Sequence, residues 1–255
     1  MVKIKKRRSA NPAAAAKRAI RRGNEARILE AAEAVFATRG FSGATTAEIA
    51  KRAGVPKANL HYYFRTKRAL YRAVLDDILS LWLDATASIA PEADPATAFK
   101  HYVEAKVAYS RTRPFASKVF ANELLHGAPE IKGFLGGAMK RLVDDKAKVI
   151  EGWIAEGRMA PIDPYHLFFM LWAATQTYAD FDCQVAAVLG KKKLGAADHA
   201  RAADAVSALV LRGLGLNEAP SSMRENHPHP SLPPQGGGSK RARRHRVPSP
   251  HEGEG

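Results

Sequence analysis

Polar and aromatic side chains are concentrated between Thr45 and Lys67, where one short helical segment is followed by another. Thr45 and Glu48 have the spacing of a capping box, which predicts the start of a helix. Gly54 and Pro56 then separate this helix from a second short one, so the pair has the form of a helix-turn-helix. The second helix carries hydrogen-bond donors near its N-terminus, the end that enters the major groove of DNA in such motifs.

The residues of this second short helix divide into two faces. Leu60 and Phe64 are four residues apart, so both can face the protein core. Thr66 is expected to cap the next helix, and a phosphate bound there would relieve the opposition between Lys67 and the helix dipole. The outer face of the second helix keeps four side chains that can reach base edges or phosphates: Lys57, Asn59, His61 and Tyr62.

Two tryptophans and an amide form a second candidate site. Trp172 and Gln176 are four residues apart and share a helix face, and Trp82 lies on a long helix that can meet them inside a bundle. An aromatic wall beside an amide, which both donates and accepts, suits a planar amide-like ring. Considered alone, the two tryptophans are better explained as ordinary core residues. A buried Gln176 needs hydrogen-bond partners and is harder to explain in that way.

Helical periodicity extends from about residue 24 to about residue 216, and no segment shows the alternation of a β-strand. This pattern predicts an all-α protein of about nine helices, with an N-terminal three-helix helix-turn-helix domain and a helical-bundle effector and dimerisation domain. The first helix is expected over 25–39, and the last two over 164–189 and 196–214. Starts at Asp94-Pro95 and Asp163-Pro164 each combine a good N-cap with proline at the first helical position.

Composition divides the chain into four regions. We expect a basic disordered arm over 1–22, a helix-turn-helix DNA-binding domain over 23–70, an effector-binding and dimerisation domain over 71–216, and a disordered tail over 217–255. The tail is rich in proline and glycine and has almost no apolar residues, so it cannot bury enough surface to offset the entropy lost on ordering.

The formal net charge is +15, and much of the excess lies at the two ends of the chain. Residues 1–22 contain no acid, and the tail has a second basic run over 240–246. Basic ends indicate a polyanionic partner, usually nucleic acid and less often an anionic membrane, although a solvated disordered segment explains them equally well. The alternative function is therefore a basic protein that binds nucleic acid or membrane surfaces without sequence preference.

Other classes of function have little support. The single cysteine, Cys183, excludes a disulfide within the chain and argues against a structural zinc site. Neither a signal peptide nor an apolar run of membrane-spanning length is present, so we expect a cytoplasmic protein without a membrane partner. Because we find no phosphate-binding loop and no nucleophile–base motif, we expect no catalytic residues, no metal and no cofactor, and hence no enzyme. Histidines without metal-ligand spacing support this view: His61, His101, His126 and His166.

Residues 27–75 resemble the DNA-binding domain of the TetR family of bacterial regulators. The resemblance is carried by the segments 28–32, 40–41, 45–46, 53–55 and 60–70, as a combined pattern over about 50 residues. In that family the third helix reads the operator, and the lysine that opens the fourth helix contacts phosphate. The tyrosine most common at position 61 is replaced here by His61. The resemblance implicates these residues in DNA binding: Thr46, Lys57, Asn59, Tyr62, Tyr63 and Lys67.

The following part of the chain resembles the RutR-like branch of the same family, the regulators of pyrimidine utilisation. The matching segments include 82–83, 110–114, 123–129, 160–164 and 169–181. The resemblance implies a repressor that binds double-stranded operator DNA as a homodimer, with its last two helices paired against their twofold mates. It also implies a pyrimidine effector, uracil or thymine, held by Trp82, Trp172 and Gln176.

Overall fold

The computed structural model describes residues 12–216, and within that range the chain consists of α-helices joined by short turns, without a β-strand. The prediction of an all-α fold is confirmed. A π-helical turn, Leu135–Met139, separates α7 from α8. The described range contains eleven α-helices rather than about nine: α1 (Pro12–Gly43), α2 (Thr46–Ala53), α3 (Lys57–Tyr63), α4 (Lys67–Ala85), α5 (Pro95–Thr112), α6 (Pro114–Leu125), α7 (Lys132–Phe134), α8 (Lys140–Ala155), α9 (Pro164–Asp180), α10 (Asp182–Val188) and α11 (Ala196–Gly213).

The helix-turn-helix forms where the sequence predicts it. The helical conformation of α1 breaks at Gly40, whose φ is 67°, and the Thr45 side chain accepts a hydrogen bond from Glu48 N at 3.1 Å. The second half of the predicted capping box does not form, because the Glu48 carboxylate lies 3.5 Å from Arg39 Nε instead. Gly54 ends α2 in the left-handed region, which allows the tight turn into α3.

Two boundaries differ from the sequence-based expectation. Disorder was expected through residue 22, but α1 begins at Pro12, because a proline followed by four alanines provides a favourable first turn. The predicted helix over 164–189 is divided at Phe181, whose backbone leaves the helical region with a ψ of 33°. The remaining part of the predicted arm, residues 1–11, and the predicted tail, 217–255, lie outside the described residues.

The apolar residues form two clusters, which we call the N-terminal and the C-terminal cluster. The N-terminal cluster joins α1–α4 to α6, whose Ala116, Val119 and Phe120 pack with Phe36 and Leu75. The C-terminal cluster joins α5, α8, α9 and α11. Because α6 belongs to the first cluster, packing does not divide at residue 70, where the sequence suggested a domain boundary.

The helix pairs follow from these clusters. α1 packs against α2, α4 and α6, while α5 packs against both α9 and α11. α6 also contacts α9, so it lies between the helix-turn-helix and the C-terminal bundle. Among residues 12–216, none of the helices is long and apolar enough to cross a membrane.

Substituting Gly54→Ala should lower the free energy of unfolding by about 1 kcal/mol, because a Cβ at a φ of 64° is strained. Gly152→Ala is the matched control, since Gly152 lies inside α8, and a Cβ at either position meets no atom within 4 Å. The control should gain about 0.5 kcal/mol. Urea unfolding at one fixed protein concentration measures both, and equal effects of the two substitutions would contradict the backbone explanation.

Candidate ligand cavity and nucleic-acid interface

A cavity of about 440 Å³ lies between the two hydrophobic clusters. Its walls come from α4, α5, α6, α9 and the segment that runs from α7 into α8. This volume is within the range of about 300–1,000 Å³ that is usual for small-molecule sites. Trp82 packs against the N-terminal cluster and Trp172 against the C-terminal cluster, so the cavity has one aromatic wall from each.

The structure brings together the three residues that the sequence singled out for ligand binding. Trp82, Trp172 and Gln176 all line this cavity. The Trp172 indole N–H donates to the Tyr102 hydroxyl at 3.0 Å, which fixes the ring, and Trp82 packs edge-on against Phe120 with centroids 4.3 Å apart. Within the described residues, the half-buried Gln176 amide has no hydrogen-bond partner. It can therefore meet a ligand with both its donor and its acceptor.

Sequence reasoning missed a lysine in the same cavity. Lys106 is only 4% exposed, and its Nζ lies 4.0 Å from the ring centroid of Trp82. Burial lowers the pKa of Lys106 to about 7, although the nearby Asp180 carboxylate opposes the shift. Desolvation also raises the pKa of the Asp180 carboxyl, although the Ser117 hydroxyl and the Lys106 ammonium oppose the shift. An aromatic face, an ammonium and an amide thus line one cavity, since Trp82, Lys106 and Gln176 all border it.

The signal for Lys106 was present in the periodicity of α5. Phe99, Tyr102, Val103, Lys106 and Ser110 follow helical spacing, and all five are buried. A lysine on such a stripe is unusual, because an ammonium is costly to bury without a partner. Asp180 could have been found in the same way, since it continues the spacing of four residues from Trp172 through Gln176 along α9.

The predicted recognition helix presents its polar side chains to solvent. Leu60 is buried in the N-terminal cluster, as its spacing predicted, and Tyr62 is 72% exposed. The structure thus leaves the outer face of α3 free for a partner, and Thr46, half-buried at the start of α2, is available at one side. The other exposed members of this face are Lys57, Asn59 and His61.

Two of the predicted DNA-binding residues have additional contacts inside the protein. Tyr63 is half-buried, and its hydroxyl accepts a hydrogen bond from Asn24 Nδ2 at 3.4 Å, which links α3 to α1. Lys67 Nζ donates to Ser42 O at 3.2 Å and to Ala44 O at 3.0 Å. Since an ammonium has three donors, one N–H of Lys67 remains for a phosphate. These contacts hold the turn between α1 and α2 against the start of α4.

The helix-turn-helix and the cavity correspond to two parts of one known family. Residues 28–74 match the family described as bacterial regulatory proteins, tetR family. Residues 75–217, more than half of the chain, match the family described as YcdC-like protein, C-terminal region.

Individual proteins agree with this assignment. The chain is 48% identical over 163 residues to the HTH-type transcriptional regulator RutR of Escherichia coli K12, covering 64% of this chain and 77% of that protein. A TetR-like transcriptional regulator from Rhodococcus sp. RHA1 has a similar fold, with a TM-score of 0.56 and 23% identity over 74% of this chain and 94% of that one. The ketosteroid transcriptional regulator KstR2 of Mycobacterium tuberculosis gives a TM-score of 0.58 at 19% identity, over 74% and 94% of the two chains. The protein is therefore a helix-turn-helix transcriptional regulator of the TetR family and a homologue of RutR.

Proposed function

We propose that this regulator is a repressor whose binding to operator DNA is controlled by a pyrimidine base, uracil or thymine, in the regulation of pyrimidine and nitrogen metabolism. The observation that carries the proposal is that Trp82, Trp172, Gln176 and Lys106 line one cavity. The protein is proposed to act in the cytoplasm, where it reaches DNA, and to have no enzymatic role, in keeping with relatives that are transcriptional regulators.

The chemistry of the cavity supports a planar ring with alternating carbonyl and N–H groups. A pyrimidine base offers its face to Trp82 or Trp172, and the Gln176 amide can pair with one N–H and one carbonyl of its edge. Lys106 can donate to a second carbonyl. An adenine or guanine ring would present a different order of donors and acceptors, so the same groups would be left unpaired at a cost in affinity.

One pyrimidine ring occupies less than the whole cavity. Most of its lining is apolar, as with Leu79, Phe134 and Leu135, although Lys140, Lys146 and Tyr165 also border it. We place the base beside Lys106 and Gln176, because these groups can hydrogen-bond to its edge. The apolar lining would tolerate the methyl group of thymine, because added apolar surface there displaces only weakly held water.

The surface of the C-terminal helices supports a homodimer. Large apolar side chains remain exposed on α9–α11, and Leu209 of α11 is 72% exposed. Exposed apolar side chains on such helices are typical of an interface in which α9 and α11 pack against their twofold mates. Two subunits would also bring two α3 helices to successive major grooves of the operator. The other exposed members of the patch are Phe169, Met170, Phe181, Val188 and Leu189.

α4 is the element proposed to connect ligand and operator. It is about 28 Å long for its 19 residues, with Lys67 at the end that holds the helix-turn-helix and Trp82 near the cavity. A base held against Trp82 favours one tilt of α4 and thus one spacing of the two recognition helices. The base can weaken operator binding only by as much as it prefers the arrangement that does not fit DNA.

Lys106 makes the stability of the fold depend on pH. Its pKa is about 7 in the folded protein, whereas in the unfolded chain it has the ordinary lysine value of 10.5. Below pH 7 the folded protein has the full cost of a buried ammonium, whereas between pH 7 and 10.5 the unfolded chain binds more protons than the folded one. The free energy of unfolding therefore rises with pH in this window, by at most about 1.4 kcal/mol per pH unit.

Isothermal titration of the protein with uracil and thymine should give saturable binding, and adenine should give none. Gln176→Leu should weaken uracil binding by about 5- to 150-fold, because the ring edge loses its hydrogen bonds, while operator affinity without ligand is retained. Gln184→Leu is the matched control, since Gln184 is exposed on α10. The pyrimidine proposal is wrong if the wild-type protein binds neither base, or if both leucine variants lose affinity equally.

Urea unfolding without ligand should show stability rising from pH 7 to pH 9 in the wild-type protein. Lys106→Met should flatten this rise and raise the free energy of unfolding at pH 6.5, because the buried charge is removed. Lys193→Met, at an exposed position before α11, should keep the wild-type profile. An unchanged profile in Lys106→Met would show that Lys106 does not titrate in this range.

Substitutions on α3 should reduce specific DNA binding. Lys57→Ala and Asn59→Ala are each expected to weaken binding to an operator selected from genomic fragments by about 5- to 150-fold, because each removes a donor that can reach a base edge or a phosphate. Lys192→Ala, at an exposed position between α10 and α11, is the control. A chain that ends at residue 216 should keep its preference for the operator over unrelated duplexes. Loss of that preference would instead favour a basic protein that binds nucleic acid through its tails.

A further inference from the structure

Arg113, at the junction of α5 and α6, joins three parts of the structure. Its Nη2 lies 2.5 Å from Glu33 Oε2 in α1 and 2.8 Å from Asp77 Oδ2 in α4, and its Nε lies 3.3 Å from Glu33 Oε1. One guanidinium therefore connects the junction of α5 and α6 to both α1 and α4.

The two ion pairs of Arg113, with Glu33 and with Asp77, differ in strength. Glu33 is 6% exposed, and its buried carboxylate depends on the two hydrogen bonds from Arg113. The Asp77 side chain is 49% exposed, so its ion pair is screened by water and adds little to stability. The contact of Arg113 with Glu33 can thus stay formed while its contact with Asp77 opens.

The other side of Arg113 faces the ligand site through a small polar cavity of about 10 Å³. Trp82, Lys106 and Gln176 line both this cavity and the ligand cavity. The volume is at the lower limit for one water molecule. Ser117, which also lines it, is buried next to the Asp180 carboxyl, and neither Ser117 Oγ nor Asp180 Oδ1 has another hydrogen-bond partner among the described residues.

Ser110 connects the wall of the small cavity to α9 through a hydrogen bond. Its Oγ donates to Thr175 O at 2.8 Å, next to Gln176, and Ser110 lines the small cavity together with Arg113. A displacement of Gln176 or Lys106 therefore changes the wall on which Arg113 packs, because close-packed interiors pass on small shifts.

We propose that Arg113 is the positioning residue that couples occupancy of the ligand cavity to α1 and α4, through a water bound in the small cavity between Gln176, Lys106 and Ser117. The Arg113–Asp77 bond is made in one arrangement of α4 and broken in the other. This inference rests on the ligand cavity of the proposed function, but it does not require the ligand to be a pyrimidine.

The first test compares Arg113→Met and Asp77→Asn with Arg111→Met, an exposed arginine in the last turn of α5. For each protein, operator affinity is measured without ligand and with saturating uracil, and uracil affinity is measured without DNA. The factor by which uracil weakens operator binding should fall at least about fivefold in Arg113→Met and about two- to fivefold in Asp77→Asn, while uracil affinity stays within about threefold. Arg111→Met should keep the wild-type factor. A wild-type factor in both test variants would overturn the proposal.

Loss of folding is kept apart from loss of coupling. Arg113→Met leaves Glu33 buried without its cation, so the double variant Glu33→Gln/Arg113→Met is included, in which neither charge remains. Folding of every variant is checked by circular dichroism and by its elution as the wild-type species. If the double variant is folded and still responds to uracil as the wild type does, Arg113 is not the coupling residue.

A second test needs no ligand, and so separates this inference from the pyrimidine proposal. Ser117→Val replaces the buried hydroxyl with a methyl and should displace the water from the small cavity. In a protein that keeps Arg113, Ser117→Val should change the rates of amide hydrogen exchange in residues 30–37 and 74–81 by at least about threefold. In the Arg113→Met background, the same substitution should leave these rates unchanged. Equal changes of the exchange rates in both backgrounds, or no change in either, would overturn the proposed coupling through Arg113 even if uracil binds. Failure of uracil to bind the wild-type protein would overturn only the pyrimidine proposal.

Discussion

The position of the ligand cavity between two hydrophobic clusters is the constraint on which the rest of the structure depends. α4 and α6 bring the N-terminal cluster to one wall, and α5 and α9 bring the C-terminal cluster to the other. Because protein interiors are close-packed, a molecule placed at such a junction changes how the two clusters fit together. A cavity inside either cluster alone would alter one packing surface and leave the other unchanged.

The polar lining of that cavity is built at the expense of stability. Lys106 is buried against Trp82, and burial shifts its pKa far below the ordinary value. An apolar side chain of similar length would pack there without a desolvation penalty. Retention of a destabilising charge is common where a site is preorganised for a ligand, because the groups that bind it are in place before it arrives.

The sequence predicted the elements that have local signals, and it missed the contacts that depend on distant parts of the chain. Thr45, Gly54 and Leu60 determine the helix-turn-helix through capping, turn conformation and spacing, which act within a few residues. Trp82, Trp172 and Gln176 were grouped by helical spacing together with a family resemblance, and the structure places them in one cavity. The turn-closing contacts of Lys67 with Ser42 and Ala44 join residues more than 20 positions apart, so no local pattern predicts them. Lys106 had a local signal, a charge on an apolar helix face, but its role follows only from the helices around it.

The membership of α6 in the N-terminal cluster has a consequence for chimeras that combine the DNA-binding domain of one regulator with the effector domain of another. Ala116, Val119 and Phe120 complete the apolar core around Phe36 and Leu75. A DNA-reading unit cut at the end of α4 would therefore leave part of its interior open to water. A chimera that joins this DNA-binding domain to a different effector domain, made in the laboratory or by recombination between genes, must therefore keep the apolar surface of α6 with the DNA-binding domain. The fusion point for such chimeras lies after α6, inside the effector domain, and not at the end of the helix-turn-helix.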